Sequence, residues 1–287
     1  MRGVRLIAWP YHAGLRDVGM GLGGSMLAGD TGLRDALVSA GCAVDVETVE
    51  PVDESAPEVA RIFELDRRLA RRVALAREDG ALPVVLGGNC CSCLGTVAGA
   101  GPRDLGVVWF DAHADFDTPD DNLSGFTDVM GLAILTGSGW RALRETITGF
   151  APVPEADVVL AGVRNLEPYQ RERLARSAVT TVPGAIDPGA LTDALDALRG
   201  RVARVYLHVD LDALDAGAGR ANPYAAPGGP APDALLAGID AVLERFELAA
   251  LALTSYDPRV DTDGAVARVA RRIAAAVGRR WAAAAAR

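Results

Sequence analysis

The chain has 287 residues, 50% of them hydrophobic, 23% charged and 5% aromatic, with a formal net charge of −9. A chain of this size and composition buries a large core and is not mainly disordered. Its acidity argues against a general nucleic-acid binder, whose footprint is a basic surface. No apolar run of about 18 residues is present, so no membrane span is expected.

Short apolar runs alternate with long amphipathic segments. In chain order the runs are Val4–Ala8, Ala43–Thr48, Pro83–Leu86, Gly106–Phe110, Asp157–Gly162, Ala178–Val182, Ala203–Val209 and Leu248–Thr254. Most are continuous rather than alternating, the pattern of parallel strands buried on both faces. Helices are predicted between them. Pro57–Glu78 carries Val59, Ile62, Phe63, Leu69 and Val73 on one stripe, with Gly80 beyond its end. Pro232–Arg245 starts on a proline, whose missing N–H costs nothing there. Gly264–Ala286 puts Val266, Val269, Ile273 and Val277 on one face. The repetition predicts an α/β fold: one domain over 1–287, with a mostly parallel eight-stranded sheet and helices on both faces. In such sheets the ligand site lies beyond the carboxyl ends of the strands.

The supply of reactive side chains is narrow. All 29 basic residues are arginine, which excludes a Schiff-base or P-loop lysine. The histidines are His12, His113 and His208. Three of the four cysteines, Cys90, Cys91 and Cys93, fall within four residues, apart from Cys42. That clustering reads as metal or thiol chemistry in a reducing compartment. The N-terminal apolar run is too short for a signal peptide, and a cytoplasmic protein is expected.

Three sets of polar residues follow strands. Asp111, His113 and Asp115 follow the fourth run at i, i+2 and i+4, a spacing that shares one face in extended backbone. A carboxylate–imidazole–carboxylate set suits a Mn²⁺-type ion. Asp210 and Asp212 end the seventh run, and two carboxylates so close call for a cation between them. With one carboxylate from each set bridging, two ions could sit about 3.5 Å apart. His208 lies deeper in that run and reads as a packed strand histidine. The third set, Gly87-Gly88-Asn89-Cys90-Cys91-Ser92-Cys93, pairs a sharp glycine turn with the cysteine cluster.

Together these sets resemble the arginase–agmatinase (ureohydrolase) family, which binds two Mn²⁺ through Gly-Gly-Asp-His-Ser, Asp-Ala-His-x-Asp and Asp-x-Asp-x-x-Asp-Pro turns. Here the turns read Gly87-Gly88-Asn89-Cys90-Cys91, Asp111 to Asp115, and Asp210 to Asp215-Ala216. The resemblance extends to Leu6 to Gly24, to Val163-Arg164-Asn165-Leu166-Glu167-Pro168 and to Ser255-Tyr256-Asp257-Pro258. It implies the three-layer arginase-like fold and two Mn²⁺. One ion would take Cys90, Asp111, Asp115 and Asp210, the other Asp111, His113, Asp210 and Asp212. Water activated between them would be the nucleophile, with Asp115 as the catalytic acceptor of its hydrogen bond.

Departures from the family narrow the expectation. Cys90 replaces a metal histidine with a softer, charged donor. The loop Ser124-Gly125-Phe126-Thr127-Asp128-Val129-Met130-Gly131 lacks the family's proton-shuttling histidine and reads two residues longer. His12, after the first run, is a candidate to reach the mouth. Ser255 aligns with a glutamate that pairs with guanidinium. The substrate contacts implied are Asp117, Asn122, Ser124, Glu167 and Ser255. These changes suggest a modified, hydroxylated guanidine, and the resemblance implies Nω-hydroxy-L-arginine, cleaved to L-ornithine and hydroxyurea. The alternatives are an ordinary arginase, agmatinase or guanidino-acid hydrolase, and an inactive relative acting as a binding protein. A deacetylase-like zinc enzyme is disfavoured, because Asp212 and a bridging Asp111 imply two ions. The expected partner is a small guanidino compound, without nucleic acid or membrane. A monomer or weak oligomer is expected, since the chain stops directly after its last predicted helix, without the tail that knits arginase trimers.

Overall fold

The computed structural model describes residues 1–122 and 124–284. All eight predicted runs are strands: β1 Arg2–Trp9, β2 Cys42–Thr48, β3 Leu82–Gly87, β4 Leu105–Phe110, β5 Val158–Ala161, β6 Thr180–Val182, β7 Arg204–Asp210 and β8 Glu247–Thr254. They form one sheet in the order β2-β1-β3-β8-β7-β4-β5-β6, with every neighbouring pair parallel. The sequence pattern reports position in this order. Strands β3, β4 and β5 are buried at every residue, whereas the edge strand β2 is mostly exposed or half-buried. A two-residue hairpin, Tyr11–His12 with Leu15–Arg16, follows β1.

Among the described residues ten helices connect the strands: α1 Gly21–Gly29, α2 Thr31–Ser39, α3 Glu58–Glu78, α4 Cys93–Ala100, α5 Gly131–Leu135, α6 Arg141–Arg144, α7 Pro168–Arg176, α8 Pro188–Arg199, α9 Pro232–Arg245 and α10 Ala265–Ala283. The predicted start of α3 at Pro57 is its cap, with the helix beginning at Glu58. Gly264 is likewise the cap of α10, at φ 70°. The predicted continuation to Ala285 and Ala286 lies outside the described residues.

Each face of the sheet has its own core. One is built with α1, α2, α8, α9 and α10, the other with α3, α4, α5 and α7. On the second face Leu69 and Val73 of α3 are fully buried, each worth about 1.5–3 kcal/mol of transfer free energy. Glycines let α4 approach α3 closely. A Cβ at Gly95 would stand 2.5 Å from the Asp66 carbonyl oxygen, and one at Gly99 2.4 Å from that of Ala70. This packing holds the start of α4, and the cysteines just before it, against the carboxyl ends of the central strands.

Candidate metal centre

Three turns, after β3, β7 and β4, build the site, with the end of β8 between the first two. After β3 the chain doubles back at Gly88, where a Cβ would lie 2.3 Å from the Tyr11 carbonyl oxygen. It then enters a 3₁₀ turn, Cys90–Ser92. After β7, Asp210 Oδ1 accepts the Asp212 backbone N–H at 2.8 Å and caps a second 3₁₀ turn, Leu211–Ala213. The segment after β4 differs from the extended reading. The strand stops at Phe110, and Asp115 sits at φ 47°. Its carbonyl accepts N–H groups from Leu132 (2.9 Å) and Ala133 (3.1 Å) at the start of α5. A left-handed residue tied to a helix, not strand parity, aims this carboxylate.

The side chains converge in two overlapping groups. Ligand atoms of Cys90, Asp111 and Asp210 all lie within 4.8 Å of one another, as do those of Asp111, His113 and Asp212. Asp111 belongs to both. The Cys90 sulfur is 2.9 Å from Asp210 Oδ2. His113 presents Nδ1 to Asp111 Oδ1 (3.4 Å) and Asp212 Oδ2 (3.5 Å), and its Nε2 is 3.1 Å from Asn165 Nδ2. Trp109 Nε1 donates to Asp111 Oδ2 at 2.8 Å, and Asn222 Nδ2 donates to Asp212 Oδ2 at 3.0 Å. These donors orient the carboxylates from behind. Asp115 lies outside both groups but lines the same cavity, of about 100 Å³.

The electrostatics test whether cations fit. Asp111, Asp115, Asp210 and Asp212 are all buried. Among the described residues no arginine forms an ion pair with them. Two like charges 4 Å apart repel by about 4 kcal/mol at an effective dielectric of ~20. Burial and the neighbouring carboxylates therefore push Asp115 and Asp210 well above the ordinary range. Burial, with the same carboxylates beside it, pushes the Cys90 thiol up as well. Burial opposes charging His113, but its hydrogen bonds to Asp111 and Asp212 prevail and push it up to about 12. Asp212 is held at about 2: burial opposes this, and the His113 hydrogen bond and charge outweigh it. Without a cation the two carboxylates favour the charged form of an imidazole that is expected to be a metal ligand. A sulfur, an imidazole and four crowded carboxylates are a donor set that divalent cations would neutralise, so the residues fit a binuclear centre.

The remaining cavity wall is Met20, Phe126, Asp128, Val129, Asn222, Tyr224 and Ser255. Ser255, at φ 61°, puts its Oγ 3.3 Å from the Cys90 sulfur. The other predicted substrate contacts do not line this cavity. Asp117 accepts from Asn122 Nδ2 (2.9 Å), Tyr169 OH (2.9 Å) and Gln170 Nε2 (3.0 Å). Asn122 in turn accepts from Ser124 Oγ at 2.7 Å. Glu167 is exposed at the cap of α7. His12 stands beside the wall, 3.3 Å from Asn89 Nδ2 and stacked obliquely on Phe126 at 5.5 Å.

Three residues carry more than the sequence reading gave them. Asp128 is buried, accepts the Cys91 N–H at 3.0 Å and pairs with the Asn89 amide. Burial pushes it up to about 7. It lies in the loop Ser124 to Gly131, which the sequence already showed to lack a histidine. Arg164 donates to the carbonyls of Gly162, Asp212, Ala213, Leu214, Ala226 and Pro227 and clamps the turn after β7. Asn222 donates to both Asp212 and the Ser255 carbonyl (2.9 Å). Nothing local to Arg164 or Asn222 marks these roles.

A parallel α/β sheet whose strand ends gather such a cluster presents a candidate metal centre. The arginase family model matches residues 24–278, and the chain belongs to the arginase family, hydrolases of guanidino and amidino C–N bonds. An arginase of Staphylococcus aureus (strain MRSA252) is 28% identical over 232 residues, covering 75% of this chain and 76% of its own. One of Bacillus subtilis (strain 168) is 32% identical over 174 residues, 57% of each chain. The crystal structure of arginase from Bacillus subtilis has a TM-score of 0.85 at 24% identity, covering 96% of this chain and 98% of its own. The proclavaminate amidino hydrolase of Streptomyces clavuligerus has a TM-score of 0.70 at 21% identity, covering 98% and 92%. At these identities the structural likeness establishes the fold.

Proposed function

We propose that the chain is a binuclear manganese amidinohydrolase that cleaves Nω-hydroxy-L-arginine to L-ornithine and hydroxyurea, a step of D-cycloserine biosynthesis. Cys90, Asp111, Asp115 and Asp210 would hold one Mn²⁺, and Asp111, His113, Asp210 and Asp212 the other. Bound there, the ions would supply Lewis acidity and bring the pKa of water toward neutrality. The observation that carries the substrate choice is Ser255. It offers the cavity a hydroxyl, next to the Cys90 sulfur, where the family has a carboxylate for a full guanidinium cation. A neutral hydroxyguanidine fits that wall, and its own N–OH can hydrogen-bond to Ser255 Oγ.

The chain's residues then act as follows. Asp115 accepts the proton of the attacking water. The new C–O bond forms at the guanidine carbon, and the C–N bond to ornithine breaks. The departing amine needs a proton, which Asp128 can hand over from the cavity wall or the substrate's N–OH can supply. General acid help of this kind is typically worth ~10²–10⁴-fold.

The arginase names of the relatives favour a second reading, hydrolysis of L-arginine. Product analysis of the Mn²⁺-loaded protein separates the two. L-ornithine with hydroxyurea from the hydroxylated substrate supports the proposal. Urea formed from L-arginine in comparable yield returns the chain to the ordinary arginases. No product from either, with fewer than two Mn per chain, makes it an inactive binding protein.

A further inference from the structure

Behind the site lies a polar layer that the proposed reaction does not use. His208, on β7, is fully buried. Its ring stacks on Trp109 of β4 with centroids 3.5 Å apart and planes 10° off parallel. Its Nδ1 is 2.7 Å from the Tyr206 hydroxyl. Its Nε2 is 3.3 Å from the Cys90 sulfur and 3.1 Å from Thr254 Oγ1. Thr254 Oγ1 is itself 3.2 Å from that sulfur.

The hydrogen-bond chemistry selects one tautomer. Every polar partner of the ring is a neutral phenol, hydroxyl or thiol. A thiol could face a bare Nε2 lone pair by giving it a proton. A metal-binding thiolate could not, because two lone pairs would then meet. Nε2 must therefore carry the hydrogen, and Nδ1 must accept one. The Tyr206 hydroxyl is placed to donate it. Stacking on Trp109 fixes the plane of the ring, so the N–H direction is fixed as well.

We infer that His208 is a positioning residue, whose Nε2–H, set by Tyr206, donates to the Cys90 sulfur and governs its orientation and charge as a metal ligand. The inference rests on the proposed role of Cys90 in the centre. It gives the exchange of imidazole for thiolate a physical consequence. The N–H···S bond draws electron density from the thiolate, so the bound ion keeps Lewis acidity that a bare thiolate would quench. Trp109, which His208 stacks on, does the corresponding service for Asp111 through its indole N–H. Outer partners of this kind typically change metal affinity or activity by 10–100-fold when removed.

The probe is Co²⁺, whose thiolate complexes absorb in the near ultraviolet. The parent protein should show a thiolate-to-cobalt charge-transfer band. In His208→Phe, which keeps an aromatic ring against Trp109 but has no donor, the band should move to lower energy and the Co²⁺ dissociation constant should rise ~10–100-fold. His208→Gln, whose amide can still donate, should keep both near parent values. Tyr206→Phe should shift the band in the same direction as His208→Phe, and it decides the matter if His208→Phe does not fold. A band and affinity unchanged in the phenylalanine variants would overturn the inference. Equal damage from Gln and Phe at position 208 would also overturn it, leaving only a packing role. A parent protein without a thiolate band would remove Cys90 from the centre, and both readings would fall together.

Discussion

At the scale of single residues, the proposed reaction turns on what Cys90, Asp128 and Ser255 offer. Cys90 is the one cysteine of its cluster that reaches the acidic groups. The Cys93 sulfur instead faces the Gly131 carbonyl at 3.5 Å, and Cys91 is packed in the core. Cys90→Ala should therefore weaken Mn²⁺ binding at one site by more than the ~10–100-fold typical of losing an outer partner, while Cys91→Ala and Cys93→Ala keep the parent metal content. Elemental analysis after gel filtration checks this, and metal lost from either of the latter two would place the ligand elsewhere. Asp128→Asn retains an oxygen for the Cys91 N–H but cannot supply a proton. It should lower kcat ~10²-fold or more at unchanged metal content; a kcat within a few-fold of the parent would assign the proton to the substrate or to water. The gathering of Asp111, His113, Asp210 and Asp212 was legible in their short spacings after apolar runs, whereas Cys90 was singled out only through the family resemblance. The aim of Asp115 was not legible, since a left-handed residue overrides strand parity. Nor were Asn222 and Arg164, whose partners come from distant turns.

At the scale of elements, the strands were legible and their order was not. Continuous apolar runs announce burial on both faces, but nothing within β8 says that it lies between β3 and β7. Long helices with one apolar stripe, such as α3 and α9, were legible to within a residue at their ends. The Gly-rich α1 has almost no amphipathic pattern, because it is buried on several sides and packs through its glycines. A Cβ on Gly23 would meet the Tyr256 carbonyl oxygen at 1.9 Å, next to Ser255. Gly23→Ala should cost about 1–3 kcal/mol of overpacking, and since a protein of this size shifts by about 2–4 °C per kcal/mol, its Tm should drop by ~2–12 °C. Scanning calorimetry measures this. An unchanged Tm would mean that α1 and the Tyr256 segment part easily, and that Ser255 is not rigidly held.

At the scale of the whole molecule, the centre stores unfavourable charge that cations relieve, so metal, protons and stability are linked. Without metal, His113 with its pKa near 12 is charged at neutral pH, and Cys90, Asp115 and Asp210, all shifted upward, lean toward their protonated forms. Binding requires these groups without their protons. Mn²⁺ affinity should therefore rise from pH 6 to pH 8 with release of protons. Calorimetric titration in buffers of different ionisation enthalpy reads that release, and binding heats independent of buffer would contradict it. Mn²⁺ at a hundred times its dissociation constant should add about 2.7 kcal/mol of stability, which chelation should remove. Large exposed apolar side chains such as Met26, Val38, Leu75 and Tyr169 come from different elements, and we expect a monomer or weak oligomer by light scattering, which a stable trimer or hexamer would refute. The most direct measurement is kcat/KM of the Mn²⁺-loaded protein for Nω-hydroxy-L-arginine and L-arginine side by side. The account predicts a preference of about a thousandfold for the hydroxylated substrate, or ~4 kcal/mol; equal values, or L-arginine ahead, would contradict it.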